Sequence, residues 1–207
     1  MMDWQTPDLW QYERQATEEG YCAVCGCDEA GAGPLAGPVY AAAVIFPFGR
    51  APEGLNDSKK LSPKRRNVLF DQIKECAAAW AVAWVDAQEI DRTDILSARM
   101  KAMQKAIDQL ALPADFALID GNRDHGRTAA ITTPHQTIIK GDSLSASIAA
   151  ASILAKVSRD RHMEELSRLY PQYEFHTHKG YGTKQHFALL EEYGPSPVHR
   201  RTFLKAR

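Results

Sequence analysis

The sequence predicts an α/β domain, with a mixed sheet and helices on its faces. Three observations carry that prediction. Short apolar runs of strand character come first and later alternate with segments of helical periodicity. Turns containing glycine or proline separate these segments. The composition, 44% hydrophobic and 25% charged, is that of a globular chain and argues against disorder. The 207 residues suffice for one domain with a small appendage. No apolar run reaches the length of a transmembrane helix. The start, Met1 to Gly20, is acidic and polar, so no signal peptide is expected. Four cysteines without an export signal point to free thiols in a reducing cytoplasm, and a monomer is the default.

Residues 1–20 are expected to be a helical N-terminal extension, with a weakly amphipathic helix over Trp4 to Glu19 and Leu9, Trp10 and Tyr12 as anchors; residues 21–207 form the main domain. Tyr21 to Cys27 is short, apolar and strand-like. A loop from Asp28 to Pro38 follows, holding Gly31, Gly33 and Gly37, and Val39 to Phe46 is a second, nearly all-apolar strand. Together they predict an antiparallel hairpin with a long functional loop. Ser62-Pro63 is a helix start, a cap followed by proline at the first helical position, and Val68, Leu69, Ile73 and Cys76 mark a helical stripe. Ala81 to Val85 reads as a third strand. Ile95, Leu96, Met100, Met103, Ile107 and Leu110 predict a helix over Asp94 to Leu110. Phe116 to Ile119 and His135 to Ile139 are two more strands, delivering Asp120 and Asp142 respectively. A long helix capped by Ser143 runs to about Leu169. Its first half is packed with alanine and serine, which lets a helix lie very close to a sheet. His176 to Gly182 is a loop, and a last helix spans Lys184 to Tyr193.

The net charge of −1 does not by itself indicate nucleic-acid binding. Its distribution says more. Lys59, Lys60, Lys64, Arg65 and Arg66 crowd one segment, and Arg200, Arg201, Lys205 and Arg207 crowd the C-terminal end. Each cluster suits a phosphate backbone, and each equally suits a solvated helix or tail.

Asp28-Glu29, Asp120 and Asp142 each fall where a strand ends and a glycine-containing turn begins. Ligand sites in α/β sheets are built at strand ends. Carboxylates gathered there must share protons or hold cations, and an oxygen-only donor set suits Mg²⁺ or Mn²⁺. The plainer alternative is that they are caps, turn formers and surface charges, as most of the 26 acidic residues are. Asp28 and Glu29 are adjacent, so in a regular strand they point to opposite faces; they share one site only if the chain turns there.

The run Asp28-Glu29-Ala30-Gly31-Ala32-Gly33-Pro34-Leu35-Ala36-Gly37-Pro38-Val39 resembles the signature loop of bacterial ribonuclease HII. Asp57-Ser58-Lys59-Lys60-Leu61, Ile119-Asp120-Gly121, Lys140-Gly141-Asp142 running into Ser145 to Lys156 and Arg159-Asp160, His178 to His186, and Gly194-Pro195-Ser196 with His199-Arg200-Arg201 are similar to that family in the same order, across roughly residues 21 to 203. The resemblance implies a ribonuclease H fold, a mixed five-stranded sheet flanked by helices with a helical C-terminal region. It implies that Asp28, Glu29, Asp120 and Asp142 bind two Mg²⁺ or Mn²⁺ ions. It implies hydrolysis of the RNA strand of RNA–DNA hybrids, and incision 5′ of single ribonucleotides embedded in duplex DNA, leaving a 3′-hydroxyl and a 5′-phosphate. Tyr181 matches a tyrosine that packs on the sugar beyond the cut, and Gly31-Ala32-Gly33 matches a loop that reads the 2′-hydroxyl. Lys59, Lys60 and Lys179 are expected phosphate contacts, as are Ser145 and Ser147 in the first turns of the alanine- and serine-rich helix.

One departure matters. The family's Gly-Arg-Gly is Gly31-Ala32-Gly33 here. The loss of one charge-assisted contact, worth roughly 1.5–3 kcal/mol, predicts weakened but not abolished activity. Two other functions stay in view: a hybrid-binding protein with little or no cleavage, made possible by Ala32, and a resolvase-like transferase, disfavoured by Tyr181 and the glycine loop. Cys22, Cys25 and Cys27 have poor spacing for zinc on a strand and are read as buried or semi-buried thiols. His186 and His199 are read as structural or phosphate-near, and the four tryptophans as core or docking residues.

Overall fold

The computed structural model describes residues 8–205. Five strands, β1 (Val24–Ala30), β2 (Val39–Ile45), β3 (Ala79–Val85), β4 (Phe116–Asp120) and β5 (His135–Ile138), form one sheet in the order β3-β2-β1-β4-β5. β2 is antiparallel to both β1 and β3, whereas β1, β4 and β5 run parallel. The expected mixed five-stranded α/β sheet is therefore present. β2 is buried along its whole length, which is why Val39-Tyr40-Ala41-Ala42-Ala43-Val44-Ile45 carries no polar residue that must reach water.

The helices are α1 (Gln11–Glu18), α2 (Pro63–Cys76), α3 (Ala87–Arg92), α4 (Ile95–Asp108), α5 (Ala146–Leu169), α6 (Phe175–His178), α7 (Lys184–Tyr193) and α8 (Arg201–Leu204). On one face of the sheet, Met100, Met103 and Ile107 of α4 pack against Cys25 and Cys27 of β1 and Ala41 and Ala43 of β2. On the other, α5 and α2 pack against Ala42 and Val44 of β2. Alternate residues of β1 thus face α4 and α5. Gly26 shows how closely α5 lies on the sheet. A Cβ there would stand 2.2 Å from the backbone of Ser147 and Ile148, so only glycine opposite small helical residues permits the approach.

Several boundaries differ from expectation. β1 is displaced by three residues and runs through Asp28 and Glu29 to Ala30, paired with β2 as far as Tyr40; the turn expected at the acidic pair is absent, and the two side chains nonetheless line one pocket at the end of the strand. β3 begins two residues earlier, at Ala79. Residues 141–143 form a 3-10 turn, and Ser145 rather than Ser143 caps α5 by accepting the Ile148 amide at 3.2 Å. α3, α6 and α8 were not expected; they are one or two turns long, too short for periodicity to register. The helix expected from Trp4 begins at Gln11; residues 4–7 of that expectation lie outside the described residues. Cys25 and Cys27 are buried among apolar side chains, which pushes the Cys25 thiol up to about 12, while Cys22 is exposed.

Candidate active site

The three parallel strands bring the acidic positions together. β1, β4 and β5 end at the same edge of the sheet, so Asp28 and Glu29, Asp120, and Asp142 just beyond β5 converge although they are far apart in sequence. The Asp142 amide lies 3.4 Å from Asp120 Oδ1. Asp28 is buried on the α5 side, where Ser152 reaches its carboxylate and bonds Ser58 Oγ at 2.8 Å. Glu29, on the opposite face of β1, takes Arg99 of α4 at 2.7 Å.

These carboxyls do not ionise independently. Burial, then the charges of Glu29 and Asp120, holds Asp28 well above the usual carboxylate range. Burial also raises Glu29, against the pull of Arg99. Asp120 is raised by burial despite amide hydrogen bonds and the nearby Lys59 and Arg99. Asp142 is pushed up to about 6 by burial, Asp120 and Asp57. Burial opposes the charge on Lys59, but Asp28, Asp57, Asp142 and Asp120 outweigh it and hold the ammonium above its ordinary value. Such a concentration of carboxyls, with one Glu29 oxygen buried and unpartnered, fits a hard divalent cation. Among the described residues, no three acidic, histidine or cysteine side chains are already gathered around a metal-sized point, so the donor set fits by chemistry and not by finished geometry.

Beside the acids is a pocket of about 220 Å³, lined by Asp28, Glu29, the Gly31-Ala32-Gly33 loop, Ser58, Lys59, Ser152, Lys156 and Tyr181. Two buried guanidinium groups support its glycine loop. Arg200 donates to the carbonyls of Gly31 (2.6 Å), Ala32 (2.8 Å) and Gly37 (3.0 Å). Arg159 donates to those of Pro38, Ala36 and Lys179. Burial and the like charge of Arg159 push Arg200 down to about 9, so it remains charged at neutral pH.

Tyr181 is carried by a loop, as expected, although His176 to His178 before it are helical, and that loop is pinned. Ser196 N–H donates to His199 Nδ1 (3.0 Å), which fixes the His199 proton on Nε2, facing His186 Nε2 at 3.0 Å; His186 Nδ1–H then donates to the Tyr181 carbonyl at 2.9 Å. Burial pushes both imidazoles down to about 4, consistent with a neutral chain.

The model of the ribonuclease HII family matches residues 25–206. The chain belongs to the ribonuclease HII family. It is a ribonuclease H, a hydrolase that cuts RNA endonucleolytically. Ribonuclease HII of Geobacter sulfurreducens is 50% identical over 97% of this chain and 91% of its own length. That of Idiomarina loihiensis is 53% identical over 87% of this chain and 94% of its own. Among solved structures, ribonuclease H2 of Pyrococcus horikoshii OT3 superposes with a TM-score of 0.72 at 25% identity, covering 87% of this chain and 93% of that one. A Bst ribonuclease HIII in complex with Mn²⁺ shares the fold, with a TM-score of 0.63 at 21% identity, covering 91% of this chain and 66% of that one.

Of the substrate-contact residues expected from the sequence, Gly31, Ala32, Gly33, Lys59 and Tyr181 meet in the pocket. Lys60 is exposed on the same turn but does not line it. Lys179 lies in an adjoining groove, paired with Glu164 at 2.9 Å. Ser145 and Ser147 are a correction. Both are buried under α1, where Glu13 Oε1 accepts from Ser145 Oγ (2.7 Å) and the Ser147 amide (3.0 Å). A carboxylate of the protein itself already occupies the positive end of α5, leaving no opening for a phosphate. Sequence reasoning missed Ser58, Ser152, Lys156 and Arg99 as parts of the site, and it read Arg200 as a phosphate-holding or solvated tail charge, whereas Arg200 is buried on the carbonyls of the glycine loop. Ser152 and Lys156, four residues apart on α5, carried a periodicity signal only once their helix face was known.

Proposed function

We propose that this chain uses Asp28, Glu29, Asp120 and Asp142 to hold divalent cations, Mg²⁺ or Mn²⁺, and that it cleaves the RNA strand of RNA–DNA hybrids and incises 5′ of single ribonucleotides in duplex DNA. The observation that carries this reading is the continuity of one pocket from Asp28 and Glu29 to the glycine loop and Tyr181. When bound, such cations activate water and stabilise the leaving oxygen of a phosphodiester.

The chain's own residues supply recognition. In a trans peptide the C=O and N–H point in opposite directions. Because Arg200 draws in the carbonyls of Gly31 and Ala32, the amides of Ala32 and Gly33 are turned away from it. Those amides are the donors we assign to the 2′-hydroxyl, the group that separates RNA from DNA. Tyr181, 44% exposed, offers its ring to the neighbouring sugar. Lys59 and Lys156 both line the pocket, and we assign them to phosphates of the substrate strand. Ala32 brings no charge, so the phosphate contact that an arginine there would make is missing.

The test is a DNA duplex with one embedded ribonucleotide, incubated with and without Mg²⁺. The expected result is Mg²⁺-dependent cutting 5′ of the ribonucleotide, abolished by Asp120→Asn. Retained binding without cutting would favour a hybrid-binding protein, and cutting unchanged in Asp120→Asn would overturn the site.

A further inference from the structure

Glu29 and Asp28 lie on opposite faces of β1, yet a metal site at these carboxylates needs both. Glu29 is held at the site by an ion pair from the α4 side: Arg99 Nη2 to Glu29 Oε1 at 2.7 Å, with the two side chains 26% and 13% exposed. The pair is incomplete. Glu29 Oε2 and Arg99 Nε are both buried without a hydrogen-bond partner, two of the four such side-chain atoms among the described residues. A buried carboxylate with one oxygen on a guanidinium and the other on nothing is a group short of cation contacts.

Resting on the metal role proposed for Glu29, we propose that Arg99 is a resident counter-ion for that carboxylate, standing in for a divalent cation in the metal-free protein and competing with it for the same group. Without metal, the guanidinium offsets a charge that burial would otherwise make costly. With metal, that same positive charge stays within a few ångströms of the incoming cation and opposes it. Arg99 is thus a positioning residue that stabilises the empty site and lowers its affinity for metal. It favours a site that fills more readily when a further negative charge, such as a substrate phosphate, arrives with the cation.

The consequence has a sign that a merely structural role would not produce. Arg99→Gln keeps a donor for Glu29 but removes the charge. A unit charge a few ångströms from a divalent ion, even with water-like screening, is worth on the order of tenfold in affinity. In calorimetric titration of substrate-free protein with Mn²⁺, the variant is expected to bind about tenfold more tightly than the parent. Its melting temperature in EDTA should be lower, so that Mn²⁺ raises it by more. Arg99→Lys retains the charge and should bind Mn²⁺ like the parent, which separates charge from side-chain shape. In a Glu29→Gln background the effect of Arg99→Gln should shrink. Mn²⁺ affinity equal to or weaker than the parent's in Arg99→Gln, with the parent binding normally, overturns the counter-ion role. Absence of Mn²⁺ binding by parent and variant alike overturns the metal role of the carboxylates, and the counter-ion role with it.

Discussion

Replacing Arg200 by methionine tests how the glycine loop is held. Arg200 is fully buried and donates to three carbonyls, those of Gly31, Ala32 and Gly37, at 2.6, 2.8 and 3.0 Å. Methionine fills much of the volume but donates nothing. Three carbonyls lose a charged donor, at about 1–3 kcal/mol each when left without one. The lower end applies because Gly33, at the tip, is exposed and water can enter. Relief of the buried charge, already pushed down to about 9, offsets part of the loss. The net expectation is about 2 kcal/mol, or about 4–8 °C in melting temperature for a chain of this size. The functional effect is more diagnostic. With the two carbonyls released, the amides of Ala32 and Gly33 lose their orientation, so discrimination between a ribonucleotide and its 2′-deoxy or 2′-O-methyl counterpart should fall more than Mn²⁺ affinity does. Thermal denaturation in EDTA and single-turnover cleavage of matched duplexes measure the two effects. A melting shift below about 2 °C together with unchanged sugar discrimination would refute the reasoning.

Three further outcomes are expected. Gly31→Ala places a Cβ 2.0 Å from Arg159 Nε at a residue whose φ is +93°, so it should cost about 2–4 kcal/mol, whereas Gly33→Ala, whose Cβ meets only Tyr181 at 3.9 Å, should melt within about 1–2 °C of the parent; equal melting of the two would contradict the tight seat of Gly31. Ala32→Arg should raise binding or cleavage about ten- to a hundredfold, measured as kcat/KM on the single-ribonucleotide duplex, and equal rates would show that the arginine contributes little here. The buried His186–His199 pair is held down to about 4, below the ordinary histidine value of 6.5. The unfolded chain therefore takes up protons first as pH falls, and stability present above about 6.5 should be lost progressively down to about 4. A pH series of melts should show this decline, flattened in His186→Gln/His199→Asn; an identical slope in that variant would argue against the pair as its source.

Local patterning makes much of the fold legible. The apolar run of β2, the Ser62-Pro63 start of α2 and the spacing of Met100, Met103 and Ile107 in α4 each encode an element without reference to the rest of the chain. Pattern alone places β1 three residues early because Asp28 and Glu29 look like loop residues; tertiary pairing with β2 holds them in the strand. Ser145 and Ser147 look like an anion site because a helix start is one by default, until Glu13, 132 residues away from Ser145, fills it.

The four carboxylates divide along the same line. Their identity, and the resemblance that singles them out, reside in the sequence, because motifs are contiguous and need no partner. Their convergence depends on β1, β4 and β5 being parallel neighbours, a property of strand order that no local pattern encodes. The charges that hold the site, Arg99 on Glu29 and Arg200 on the glycine loop, are likewise invisible in the sequence. Each acts across a gap of 70 or more residues, and only folding chooses which buried group a given cation must neutralise or which carbonyls it must satisfy.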